Sequence, residues 1–213
     1  MEEVGLHGYI PRRAGFWVGL LAIVVFGSAL SLMGWVMKAG EPSPLERISK
    51  EITPAAGTQT DYGIPLSLQS LPLFISWKDE IVLAEGEEIV FHDALVQLVA
   101  PCCDDNNAFQ CCCEKGGARC NLVTSGKGLA AHLIREKGYT VDQVRDAVLQ
   151  WFRFARPDYY VASALEKEGI EPGLYGLTTQ GDCYRGMCEV PISRGGCGGM
   201  GELVEPAIQG GQG

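Results

Sequence analysis

The chain has 213 residues, 46% of them hydrophobic, and a formal net charge of -9. That length accommodates one domain of ordinary size with additions. The acidic balance excludes nucleic acid as a partner, because binding phosphate takes clustered Lys and Arg.

Residues 1–15 form a short polar N-terminal segment ending in Arg12-Arg13. From Phe16 to Met37 no residue is charged. A helix over 16–37 would be about 33 Å long at its usual rise, enough to cross a bilayer's apolar core. Trp17 and Trp35 stand near its two ends, where amphipathic rings favour the interface. A buried core helix would show a polar stripe somewhere, and this run has none. Ala29-Leu30-Ser31 has the small-x-small form of a cleavage site, but the apolar run exceeds the roughly 7–15 residues of a signal peptide. A retained transmembrane anchor is therefore expected. All nine cysteines follow it and suit an oxidising compartment, which puts 1–15 in the cytoplasm and the bulk of the chain outside it.

Residues 38–72 read as a linker, with Pro42, Pro44, Pro54 and Pro65 among Ser, Thr, Gly and Gln. A cysteine-rich domain is expected over 73–201. Ile75, Trp77, Ile81 and Leu83 mark a short buried segment whose pattern fits helix or strand. Glu87 to Val99 reads as an amphipathic helix carrying Ile89, Val90, Leu95, Val96 and Val99, stopped by Pro101. A second helix is predicted from a cap at Thr124 or Ser125 through Lys137, burying Leu129, Leu133 and Ile134, with Gly138 as its left-handed stop. Thr140 to Gln143 has the form of a capping box. It opens a helix with Val144, Val148, Trp151, Phe152 and Ala155 at core spacing. Arg156-Pro157 breaks that helix, and Asp158 caps another that runs to about Lys167 and closes at Gly169. Residues 170–201 read as Gly-rich loop, and 202–213 as a disordered tail with nothing to bury. The expected fold is mainly α: a single transmembrane helix, then a small cysteine-rich helical bundle with long Gly-rich loops.

The chemistry is concentrated in sulfur. Cys102, Cys103, Cys111, Cys112, Cys113 and Cys120 fall between Pro101 and Cys120, and Cys183, Cys188 and Cys197 return later. Thiols so dense are cross-linked, bind a metal, or do redox work. Adjacent cysteines are poor partners for one another, since neighbouring Cα atoms are about 3.8 Å apart and a relaxed disulfide wants roughly 4.4–6.8 Å. Cys183 and Cys188 are spaced to staple their own loop or to clamp the tail onto the first cluster. An odd number of cysteines leaves one outside any set of pairs. Metal binding would draw on the nine cysteines, with Met187 and Met200 beside Cys188 and Cys197. Thiolate with thioether suits copper as Cu(I), and all-thiolate sites suit zinc. The spacing matches no zinc ribbon or ferredoxin run, and no C-x-x-C-H haem motif is present. For redox chemistry Cys120 is best placed, after Arg119 and ahead of a helix. No nucleophile elbow, phosphate loop or dinucleotide fingerprint occurs, so no nucleotide and no catalytic residue is expected. His132 lies between buried helical positions and reads as structural.

The run Leu98-Val99-Ala100-Pro101-Cys102-Cys103, the cysteine loop, Asn121-Leu122 and the helices that follow resemble the bacterial PCYCGC-motif family over about residues 88–155. A second cysteine stands here where that motif has tyrosine. The resemblance implies an anchored extracytoplasmic protein with helices after its cysteine motif; the family's function is not established. The stretch from Glu136 to Tyr160 is similar in rhythm to the thiol-oxidoreductase subunit of cytochrome c maturation, though no C-x-x-C precedes it. The expected function is soft-metal binding, for capture or delivery, by a membrane-anchored protein. The alternatives are a disulfide-stapled accessory subunit of a membrane complex without its own metal, and a thiol-disulfide oxidoreductase.

Overall fold

Helix α4, Asn121–Lys137, is the member around which the others pack. It belongs to a computed structural model that describes residues 42–102, 107–110 and 120–198. The anchor expected at 16–37, the tail at 202–213, and Cys103, Cys111, Cys112 and Cys113 lie outside the described residues. Among those described, no helix is long and apolar enough to cross a membrane. The other helices are α1 (Pro44–Ile52), α2 (Leu71–Glu80), α3 (Glu85–Leu95), α5 (Val141–Ala155) and α6 (Pro157–Lys167), with short 3-10 turns between and after them. No strand occurs among the described residues; Val99 and Asn107 form an isolated antiparallel bridge.

Nearly every face of α4 is covered, because its small residues let neighbours approach. Leu122, Leu129, Ala130 and Leu133 are fully enclosed. A Cβ added at Gly128 would stand 1.6 Å from the Phe74 carbonyl oxygen, so α2 crosses α4 where only glycine fits. Phe74 in turn meets the Trp151 ring edge-on at 5.0 Å, and Trp77 stacks on His132 at 3.8 Å. The segment holding Ile75 and Trp77 is thus settled as helix. His132 is held in the fold as the sequence led us to expect.

The α4 start differs from the expected cap. Ser125 does not cap the helix; its hydroxyl donates to the Leu122 carbonyl and accepts from Trp151 Nε1 at 2.8 Å. The helix begins four or five residues earlier than that cap, with Cys120 at its N-cap, and ends as expected at Gly138 with φ 64°. Helix α5 opens as predicted, with the Thr140 N–H donating to Gln143 Oε1 at 3.0 Å. Its buried stripe is Val144, Val148, Trp151, Phe152 and Ala155.

Two expectations need correction. Helix α3 stops at Leu95 and turns Phe91, Ala94 and Leu95 to the core, leaving Ile89 59% and Val99 48% exposed. The chain leaves the helix before Val99, where backbone pairing with Asn107 takes over. The segment expected as a linker is also folded from Pro44 onward: Tyr62 and Leu66 are buried in the main core. Ile48 of α1 joins Val161 and Leu165 of α6 in a second, smaller cluster. Arg47 reaches across that contact to the Glu168 carboxylate.

Candidate metal centre

Three of the predicted cysteines converge at the N-terminal end of α4. Cys102 arrives from the turn after α3, Cys120 is the residue that caps α4, and Cys197 comes from the last described loop. Their sulfurs lie within 4.8 Å of one another and all three residues are buried. Cys120 Sγ stands 3.4 Å from Cys102 Sγ. The segments are 18 and 77 residues apart along the chain, so the convergence is a product of the tertiary fold.

The backbone fixes each arm. Cys183 N–H donates to the Cys102 carbonyl at 3.1 Å, and Leu122 N–H to the Cys197 carbonyl at 3.3 Å. The Asn121 side-chain amide donates to the Gly198 carbonyl beside it. Gly196 sets the path into Cys197, since a Cβ there would meet the Val190 carbonyl oxygen at 2.1 Å. On the other side, Lys127 Nζ donates to the Phe109 carbonyl at 2.8 Å and holds residues 107–110 against α4.

Charge around the sulfurs is ordered by a buried carboxylate. Asp182 is fully enclosed, and its Oδ1 accepts from Arg156 at 2.7 Å and from Arg185 at 2.6 Å. Its other oxygen, Oδ2, lies 3.6 Å from Cys197 Sγ. Hydrogen bonds from Cys102 and then Cys120 push the Cys197 thiol down to about 6, against burial and Asp182, which push it up. The neighbouring sulfurs thus favour the anionic form of Cys197 more than an isolated thiol would. The N-terminal end of α4 adds a dipole that favours negative charge beside it. Neither Asp182 nor Arg156 was found from the sequence; an acid next to Cys183 and a base before a proline carry no distinguishing spacing.

Cys183 and Cys188, also predicted as ligands, are joined to each other with an S–S distance of 2.06 Å. In that state they staple their own loop, one of the two arrangements expected for this pair, and offer no thiolate. Both sulfurs nevertheless lie within 4.8 Å of Cys197 Sγ. Met187 contributes through its backbone: its N–H donates to the Asp182 carbonyl at 2.8 Å and its carbonyl accepts from Cys197 N–H at 3.4 Å.

Chemically, the trio of Cys102, Cys120 and Cys197 can hold a metal ion. Thiolate donors in a buried place select soft or borderline cations. A separate cleft of about 650 Å³, lined in part by Lys50, Tyr62, Tyr139 and Arg153, contains no cysteine. No family model matches this chain, and neither does any curated protein or solved structure at the similarity required.

Proposed function

We propose that this protein binds a soft metal ion, copper as Cu(I) or zinc, through Cys102, Cys120 and Cys197, and serves in its capture or delivery. The supporting observation is the meeting of three buried sulfurs from three remote segments, one beside the N-terminus of α4. Rigidity alone would call for pairs at bonding distance, as Cys183 and Cys188 are. Three thiolates suit Cu(I), which accepts low coordination; zinc would take a fourth ligand to close its tetrahedron. The apolar run at 16–37 belongs to the same reading: it anchors the chain in the cell membrane with the sulfur domain on the extracytoplasmic side, a placement shared with the PCYCGC-motif proteins it resembles.

The test is elemental analysis with thiol titration on full-length protein purified without reductant. Bound soft metal in stoichiometric amount is expected, lost in Cys102→Ser, Cys120→Ser and Cys197→Ser. The same metal content in all three variants as in the wild type would overturn the site. A metal-free wild type that takes up neither Cu(I) nor zinc would leave the stapled accessory subunit as the better account.

A further inference from the structure

The disulfide beside the metal trio is placed to exchange with it. Cys197 Sγ, Cys183 Sγ and Cys188 Sγ all lie within 4.8 Å of one another, and the same Cys197 Sγ is within that distance of Cys102 and Cys120. Cys197 is thus the one sulfur common to both groups. The loop carrying it is folded back on the bridge by the Cys197 N–H to Met187 carbonyl bond, and by the Gly198 N–H donating to Val190 at 2.8 Å. Cys183 is packed against the main core, which keeps the bridge from swinging away.

From this arrangement we infer that Cys197 can displace one half of the Cys183–Cys188 bridge, moving the protein's own disulfide onto a metal ligand and so switching the trio off. Disulfides exchange by attack of a thiolate on one sulfur of the bond. Here Cys197 loses its proton and its sulfur attacks Cys183 or Cys188. A new S–S bond forms to Cys197, the old S–S bond breaks, and the bond's electron pair leaves with the other bridge sulfur. That sulfur takes up a proton. The numbers of disulfides and thiols are unchanged, so no oxidant or reductant is consumed. A metal ion on Cys197 occupies the attacking lone pair and blocks the step; loss of the ion opens it. This switch rests on the proposed metal reading, whereas the exchange step rests on sulfur geometry alone.

The sequence makes the rearrangement readable. Arg185 lies between Cys183 and Cys188, and Arg194 between Cys188 and Cys197, so trypsin puts each cysteine on its own peptide. Full-length protein is stripped of metal, held anaerobically at pH 8, blocked with an alkylating agent and digested. Mass spectrometry is expected to find the Cys197 peptide bonded to the Cys183 or Cys188 peptide in a fraction that does not depend on protein concentration. With free Cu(I) at ten times its Kd the exchange-competent fraction, and hence the initial rate, falls about tenfold. Cys197→Ser should show only the Cys183–Cys188 pair. If metal-free wild type shows only that pair too, the exchange is overturned. Cu(I) titration of the Cys183→Ser/Cys188→Ser variant separates the two claims. Binding there upholds the metal reading whatever the exchange result, and absence of binding in both it and the wild type removes the switch.

Discussion

Asp182 and His132 show how single side chains set the behaviour of this protein under stress. Asp182 compensates Arg156, which is only 3% exposed. Removing one partner of a buried pair leaves an uncompensated charge, so Asp182→Asn is expected to lower stability by about 3–5 kcal/mol in denaturant unfolding. The neutral amide also loosens the turn that carries Cys183, and metal affinity should fall in the same variant. For His132, burial is the main cause holding its pKa below 6.5, with Glu136 opposing. The folded state thus prefers the neutral ring. Its stabilising contribution is complete above the ordinary value of 6.5 and is lost as pH falls through the lowered folded value. His132→Phe keeps a ring against Trp77 and should flatten the loss of stability below neutral pH, measured as unfolding midpoints from pH 7.5 to about 5.

Among the elements, α4 carries the largest share of the packing, and its crossing with α2 is the most sensitive contact. Gly128→Ala forces a methyl group into the Phe74 carbonyl, and since backbone cannot rotate away as a side chain can, the two helices must separate. Overpacking of a close crossing costs about 1–3 kcal/mol, with rigid backbone placing this one at the upper end, and thermal unfolding should show it. The same separation would move Cys120 at the head of α4 relative to Cys102 and Cys197. Metal binding should weaken in the variant, which Cu(I) titration of the folded protein would show.

Across the whole molecule, the Cys102, Cys120 and Cys197 trio joins three segments that are remote in sequence, so the proposed metal binding predicts coupling to folding. With free ion at about 100 times its Kd, the native state gains about 2.7 kcal/mol, and a chelator should remove that gain from the denaturation curve. Cys197→Ser should be indifferent to the chelator. Replacing Cys183 and Cys188 together by Ser costs about 2 kcal/mol, the value for a loop this short, and leaves the chelator effect in place. A Cys183/Cys188 variant that ignored the chelator would show that the bridge, not the trio, organises the last loop.

The amino-acid pattern by itself determined the mainly helical class and most helix positions. Gly138, Thr140 with Gln143, and Gly169 are local signals that act through hydrogen bonds to their own neighbours, so they are legible without a fold. The pattern also pointed to sulfur as the chemistry and offered the Cys183–Cys188 staple as one of two arrangements, because those two residues are close along the chain. It could not say which cysteines meet. Cys102, Cys120 and Cys197 are brought together by the packing around α4 and by the loop anchored on Asp182, contacts whose separation in sequence leaves no periodic trace. It likewise missed the folding of residues 44–66, whose prolines mark turns; Ile48, Tyr62 and Leu66 find their apolar partners in distant helices. Tertiary structure alone decided which sulfurs meet, since that depends on where side chains end up in space.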